Sequence, residues 1–222
     1  MKSLHNYILE KLIVNKDYKS PYTCAPKSFD ELRKIIEDRY DKLGSGTKDN
    51  PIDFNDVDVS NIESFFNKNK NNTGIFERTK FEYIDISDWN VSNAKYMSFM
   101  FFRCEQLKSV GDLSNWNVSK AEYMNYMFSY CNHLKSVGDL SNWNVSNVEY
   151  MNDMFKECVL LESIGDLSNW NVSNVENISR MFFSCEQLKS VGDLSNWDVS
   201  KVIYMNNTFK ESGITNIPKW YK

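Results

Sequence analysis

The chain has 222 residues, enough to bury a sizeable core, and carries 26 Lys and Arg against 30 Asp and Glu for a net charge of -4. That near balance excludes a strong electrostatic pull on nucleic acid and an acidic disordered tail. Nowhere do about 18 consecutive apolar residues occur, the least that a membrane span needs, so no membrane span is expected.

At the N-terminus, Glu10 and Lys11 interrupt the first apolar stretch before it reaches the length of a secretory core, and no small-residue cleavage site comes after it. Export by that route is not expected, which makes the cytoplasm the expected location. A short helix around Leu4 to Val14 is suggested by the stripe Leu4, Ile8 and Leu12, with Pro21 and Pro26 separating it from the next element. Ser28-Phe-Asp-Glu31 then forms a capping box, and ELRKIIEDRYDKL runs on to Gly44. Those signals predict a helix from about Phe29 to Leu43, with Leu32, Ile35, Ile36, Tyr40 and Leu43 as its apolar face.

From Ile52 onward the chain repeats. Phe54, Val57, Val59 and Ile62 open a degenerate first coil, and the Asn- and Lys-rich stretch from Asn69 to Gly74 reads as a surface loop. A 27-residue unit then recurs from Trp89, Trp116, Trp143, Trp170 and Trp197. In the unit at Trp143 the apolar residues are Trp143, Val145, Val148, Met151, Met154, Phe155, Cys158, Leu161, Ile164 and Leu167. Their spacing stays close to three, which fits neither a 3.6-residue helix nor a flat strand. It suits a coil of short segments wound around an apolar centre and covered by its neighbours.

Four cysteines, Cys104, Cys131, Cys158 and Cys185, share one place in the unit, with Cys24 outside the array. That column reads as a buried ladder, because a metal site would want paired spacings or a Cys and His cluster, and only His5 and His133 are present. At the far end Ser212 replaces the cysteine and Trp220 falls at a leucine position, as in a terminal cap.

The segment LESIGDLSNWNVSN, Leu161 to Asn174, resembles the LxxLxLxxNxL core of leucine-rich repeats, with tryptophan in place of the asparagine. In that reading a strand centres on Asp166, Leu167 and Ser168, with Leu167 inward. Gly111, Gly138, Gly165 and Gly192 would allow a bulge or tight bend. At these residues the chain is similar to the BspA-like leucine-rich repeat family, whose mycoplasma lipoprotein branch carries LSNWDVSNVxxMxxMFxxCxxL. The resemblance covers roughly Phe54 to Lys222. It implies an α/β solenoid, a leucine-rich-repeat-type coil stack with short parallel strands. A helical N-terminal cap over residues 1–50 would precede the repeats of residues 51–222. The resemblance also implies a bacterial surface location and a role in adhesion.

Candidate contact residues come from the repeat. Asp85, Asp112, Asp139, Asp166 and Asp193, with Ser87, Ser114, Ser141, Ser168 and Ser195, are expected to line a concave strand face able to take a peptide, a basic segment or a cation. Alternatively they form a solvated face of hydrogen-bonded ladders. Tyr96, Tyr123, Tyr150 and Tyr204 make a second column, either binding hot spots or cover over the core. The units disagree at Phe99, Tyr126, Asp153, Arg180 and Asn207, and again at Phe102, Ser129, Lys156, Phe183 and Lys210. Phe99, Phe102, Tyr126 and Tyr130 are therefore expected to form an aromatic patch, where exposure would mark a partner site. Cys131 with His133 lacks the setting of a nucleophile and base, and no phosphate loop, metal-binding helix or nucleophile elbow occurs.

No catalytic residue, metal or cofactor is expected. A scaffold that binds a protein or peptide through its concave face and aromatic edge is the leading expectation. A bacterial surface adhesin is one alternative. Abundant Asn, Lys and Ile suggest an AT-rich bacterial, phage or mobile-element source, and a phage or mobile-element inhibitor of a host protein is the other.

Overall fold

The structure is a computed structural model that describes residues 22–69 and 72–222. The expected helix at Leu4 to Val14 lies outside the described residues. Helix α1 spans Phe29–Leu43. The Ser28 side chain accepts from the Glu31 N–H at 3.2 Å, satisfying one orphan donor of the first turn, while the Glu31 carboxylate reaches back to accept from the Lys27 N–H just before the cap at 2.8 Å. Gly44, at φ 76°, ends the helix by donating to the Tyr40 carbonyl.

Leu32 and Ile36 are buried, with Ile35 and Tyr40 packed beside them. Leu43 departs from the expected face and stands 63% exposed, since it lies beyond the last turn that meets the repeats. Tyr40 packs edge-on against Phe81 at 5.1 Å, and Arg39 lies over the Phe54 ring while pairing with Asp56 at 2.6 Å. Arg33 donates to the Ile75 carbonyl at 2.7 Å. The helix and the coils therefore share one apolar cluster.

Regular strands are few. β1 (Ile52–Asp53) pairs in parallel with β4 (Ile84–Asp85), and β2 (Phe66–Asn67) pairs antiparallel with β3 (Thr73–Gly74). Within the loop expected from Asn69 to Gly74, Thr73 and Gly74 form the returning strand, residues 70–71 lie outside the described residues, and Gly74 is buried so closely against the Phe99 backbone that a Cβ would overlap it. Beyond these, neighbouring coils meet through isolated parallel bridges along Ser64, Tyr96, Tyr123, Tyr150, Asn177 and Tyr204, and again at Ser136 and Ser163.

The repeated backbone pattern explains the apolar spacing near three. In the coil at Trp143, the N–H groups of Met151, Asp153, Phe155 and Glu157 donate to carbonyls of the next coil at 2.8–3.0 Å. Tight turns within the coil, such as Lys156 N–H to Asp153 O and Cys158 N–H to Phe155 O, bring the chain round between them. Two non-glycine residues per coil adopt the left-handed region to do this, among them Phe99, Arg103, Asp153 and Glu157 at φ 56–60°. Such conformations are uncommon outside glycine, and here the inter-coil hydrogen bonds hold them.

Side chains staple the coils as well. All ten apolar residues expected in the Trp143 coil are buried. The Trp143 indole donates to the Leu113 carbonyl at 2.9 Å, and Cys158 donates its thiol to the Phe128 carbonyl at 3.1 Å. Burial pushes the thiols of Cys131, Cys158 and Cys185 up, so they remain protonated donors. Phe101, Phe128, Phe155, Phe182 and Phe209 stack face to face at 5.0–6.1 Å.

The indoles stack as Trp116 on Trp143 and Trp170 on Trp197, whereas Trp89 packs against Phe65 and Phe76. Trp220 departs from the expected leucine position. It stacks on Trp197 at 6.2 Å and donates to the Leu194 carbonyl, occupying the next rung of the tryptophan column. The final coil is shortened, which brings Trp220 round to that rung.

The strand expected at Asp166, Leu167 and Ser168 is a turn instead. Leu167 does point inward, but the Ser168 N–H donates to the Asp166 carboxylate at 2.9 Å and the Trp170 N–H closes on the Leu167 carbonyl. Asp and Ser compete with ladder bonding by capping their own backbone, so they bend the chain here. The glycine before each Asp has φ 84–88°, and a Cβ there would overlap the Asp carboxylate of the preceding coil.

Candidate binding surfaces

An open trough of about 820 Å³ runs across the coils. One column lining it is Asn61, Asn93, Lys120, Asn147, Asn174 and Lys201; the other is Glu63, Lys95, Glu122, Glu149 and Glu176. The two columns sit two residues apart, on either side of a buried Ile, Ala or Val, so both point outward from the same short extended segment. The backbone of the second column carries the inter-coil bonds: Glu122, Glu149 and Glu176 each donate N–H to the residue one coil earlier at 2.9–3.1 Å. That anchoring gives the trough a stiff floor.

Much of the Asn and Lys column is spent on the scaffold. Asn93, Asn147 and Asn174 donate to the carbonyls of Ser60, Ser119 and Ser146, and Lys120 and Lys201 donate to Asn93 and Asn174. Lys95 pairs with Glu122 at 2.8 Å. Glu176 accepts the Tyr150 hydroxyl at 2.9 Å, which pushes the tyrosine pKa up. Glu149 has no ion-pair partner among the described residues. The trough therefore becomes acidic along its later coils.

Tyr96, Tyr123 and Tyr150 border it as a stacked column at 5.2 and 5.5 Å, with the Lys68 ammonium 4.3 Å from the Tyr96 ring centre. Sequence reasoning missed the trough, although its signal was present as two polar columns flanking one small apolar residue.

The Asp and Ser columns are placed elsewhere. Asp139 and Asp193 are held below the usual carboxylate range by Ser141 and Ser195, and these residues cap turns instead of lining the trough. Asp112 with Ser114 and Asp166 with Ser168 make the same turn, and Asp85 bonds both the N–H and the hydroxyl of Ser87. Among the ten, Asp85 alone lines a second hollow, beside Tyr83, Lys108 and Ser109.

The four aromatic residues do come together. Phe99 stacks on Tyr126 at 4.7 Å, and Phe102 meets Phe99, Tyr126 and Tyr130 edge-on at 5.4–6.0 Å. Phe66, absent from the expected set, stacks on the other side of Phe99 at 5.5 Å. Arg103 lies 5.4 Å from the ring centres of both Phe102 and Tyr130, and Lys156 lies 4.9 Å from Tyr130. Clamped on both faces, Phe99 is only partly exposed. Phe99→Ala is expected to cost about 1–3 kcal/mol in a urea unfolding experiment, the loss of two ring contacts and part of an aromatic surface. A change under a few tenths of a kcal/mol would mean that the ring stack contributes nothing.

Below this cluster the same column changes character. Asp153, fully buried, receives Arg180 through both carboxylate oxygens at 2.7 and 3.0 Å. Burial, followed by the Asp153 charge, pushes the Tyr126 pKa up. His133 bonds the Glu105 carbonyl at 2.6 Å while the Cys131 thiol is committed to the Phe101 carbonyl, so the two are separately engaged.

Comparison with known proteins places the repeat. The sequence model of the family described as "Mycoplasma protein of unknown function, DUF285" matches residues 45–158 and 110–220, overlapping spans that include every coil. The chain belongs to the DUF285 family. The overlapping register of the two DUF285 matches is what a tandem repeat produces, since one unit aligns to another as well as to itself. No curated protein matches the chain. A solved leucine-rich repeat protein from Eubacterium ventriosum is similar over 68% of this chain at 19% identity, with a TM-score of 0.43, and the chain spans 34% of that protein's length. Among the described residues no helix is long and apolar enough to cross a membrane.

Proposed function

We propose that this DUF285 chain is a non-catalytic scaffold of leucine-rich-repeat type that holds an extended protein or peptide segment in the trough. A basic side chain of the ligand would lie over Glu149 and Glu176, and the Phe99, Phe102, Tyr126 and Tyr130 edge would supply a second, apolar contact. The trough carries this reading: outward polar groups repeat once per coil on a floor fixed by inter-coil hydrogen bonds. An extended peptide presents side chains and backbone groups along a line, which suits such a ladder better than a compact ligand does. A pre-formed floor also lowers the ordering cost of binding.

Selection from a random peptide display library tests the reading. Peptides recovered on the wild-type protein should be enriched in Lys or Arg. Glu149→Lys with Glu176→Lys should weaken them at least about tenfold, near 1.4 kcal/mol. Asp112→Lys with Asp139→Lys, on the turn ridge, should leave the affinity unchanged. Equal binding to the trough variant, or strong glycan-array signals with no peptide binder, would remove the proposal.

A further inference from the structure

In several columns the repeat answers a cation with a carboxylate one coil away. Lys95 pairs with Glu122, Lys108 with Glu82 and Lys135 with Glu162, and Arg180 pairs in the same way with the buried Asp153. The aromatic edge breaks that rule. A diagonal row there takes one residue from each successive coil: Arg103, Tyr130, Lys156, Phe183 and Lys210.

Cations and rings alternate along this row. The Arg103 guanidinium lies 5.4 Å from the Tyr130 ring centre, and the Lys156 ammonium, from the coil on the other side, lies 4.9 Å from the same ring. Phe183 then takes Lys156 at 5.9 Å and Lys210 at 5.8 Å. Lys210 is answered within its own coil by Glu211 at 3.6 Å. Arg103 and Lys156 have no ion-pair partner among the described residues, Glu157 included. In the coil between them Ser129 is fully buried, and its hydroxyl has no hydrogen-bond partner among those residues, so an unmet polar group accompanies the two unmet charges. A guanidinium lying on a ring still offers its N–H edge to a planar anion, and Arg103 is exposed.

We infer that Arg103, Tyr130 and Lys156 form a docking site for an acidic segment of a partner protein, with one carboxylate on each cation. This goes beyond the trough reading and stands without it. The two cations belong to coils two steps apart, about 10 Å at the usual spacing of neighbouring strands. A polyproline II segment brings side chains three residues apart to one side at about 9 Å, so acidic residues at every third position match the pair. Nucleic acid fits less well, because its bases need the ring faces that the cations cover and the glutamates of the nearby trough repel its phosphates. A membrane surface wants protruding rings and a cluster of about four to eight cations, whereas Phe102, Tyr130 and Phe183 are all half-buried.

Fluorescence anisotropy with a labelled peptide of about four Glu-Pro-Pro triplets tests this. Wild type should bind it and should not bind the Gln-Pro-Pro counterpart. Arg103→Gln with Lys156→Gln should weaken binding at least about tenfold. Lys120→Gln with Lys201→Gln removes the same charge inside the trough and should keep the affinity within about twofold. Both variants should melt close to wild type, because none of the four side chains is buried. No binding by wild type up to about 1 mM, equal binding of the glutamine peptide, an undiminished affinity in the Arg103 and Lys156 variant, or an equal loss in the trough variant would overturn the inference. Tighter binding of oligothymidine, or of vesicles of phosphatidylserine and phosphatidylcholine in equal parts, lost in the same Arg103 and Lys156 variant, would overturn it too.

Discussion

Replacing Trp143 with alanine is expected to lower the unfolding free energy by about 3–5 kcal/mol, the range for deleting a buried aromatic side chain. Trp143 sits mid-stack, buried, with its ring on Trp116 at 6.3 Å and its indole N–H on the Leu113 carbonyl. Alanine removes the apolar surface, leaves a cavity that the tightly bonded neighbouring coils cannot close, and takes away one of the two hydrogen bonds to the Leu113 carbonyl, which keeps only the Trp116 N–H. Because each coil contacts only its neighbours, the damage should appear first as enhanced hydrogen exchange in the coils at Trp116, Trp143 and Trp170. A silent substitution in both urea unfolding and exchange would show that the indole column is not what holds the coils together.

Arg180→Ala should be nearly as costly, at about 3 kcal/mol. That is the low end of the range for breaking a buried ion pair, since Arg180 keeps 37% of its side chain in water while Asp153 keeps none. The penalty comes from the carboxylate left without its cation. The repeat itself suggests the rescue: at this position the earlier coils carry Phe99 and Tyr126, which meet the same backbone requirement with stacked rings. Asp153→Tyr combined with Arg180→Phe should recover most of the lost stability. A single Arg180→Ala variant as stable as wild type, or a double variant as unstable as the single, would show that the pair is not acting as a buried register pin.

Much of the fold could be read directly from the residues. The 27-residue period, the inward set around Trp143 and the capping box at Ser28 each rest on a local rule, periodicity or capping, which neighbouring coils reinforce instead of overriding. Misreadings arose where one residue pattern serves two geometries. Asp166, Leu167 and Ser168 alternate polar, apolar and polar as a strand would, yet Asp and Ser turn the backbone by bonding to it. Trp220 sits off the repeat's numbering because the final coil is shortened, and only the rung beneath it, Trp197, defines its place.

The amino-acid sequence by itself determined that the chain repeats, which side chains face inward and that Phe99, Phe102, Tyr126 and Tyr130 belong together, because period and polarity are properties of order along the chain. Only the tertiary structure decided which outward columns share a trough and which rings clamp Phe99 from the coils on either side. Those depend on how one coil lies over the next, and residues a full period apart meet solely through that stacking.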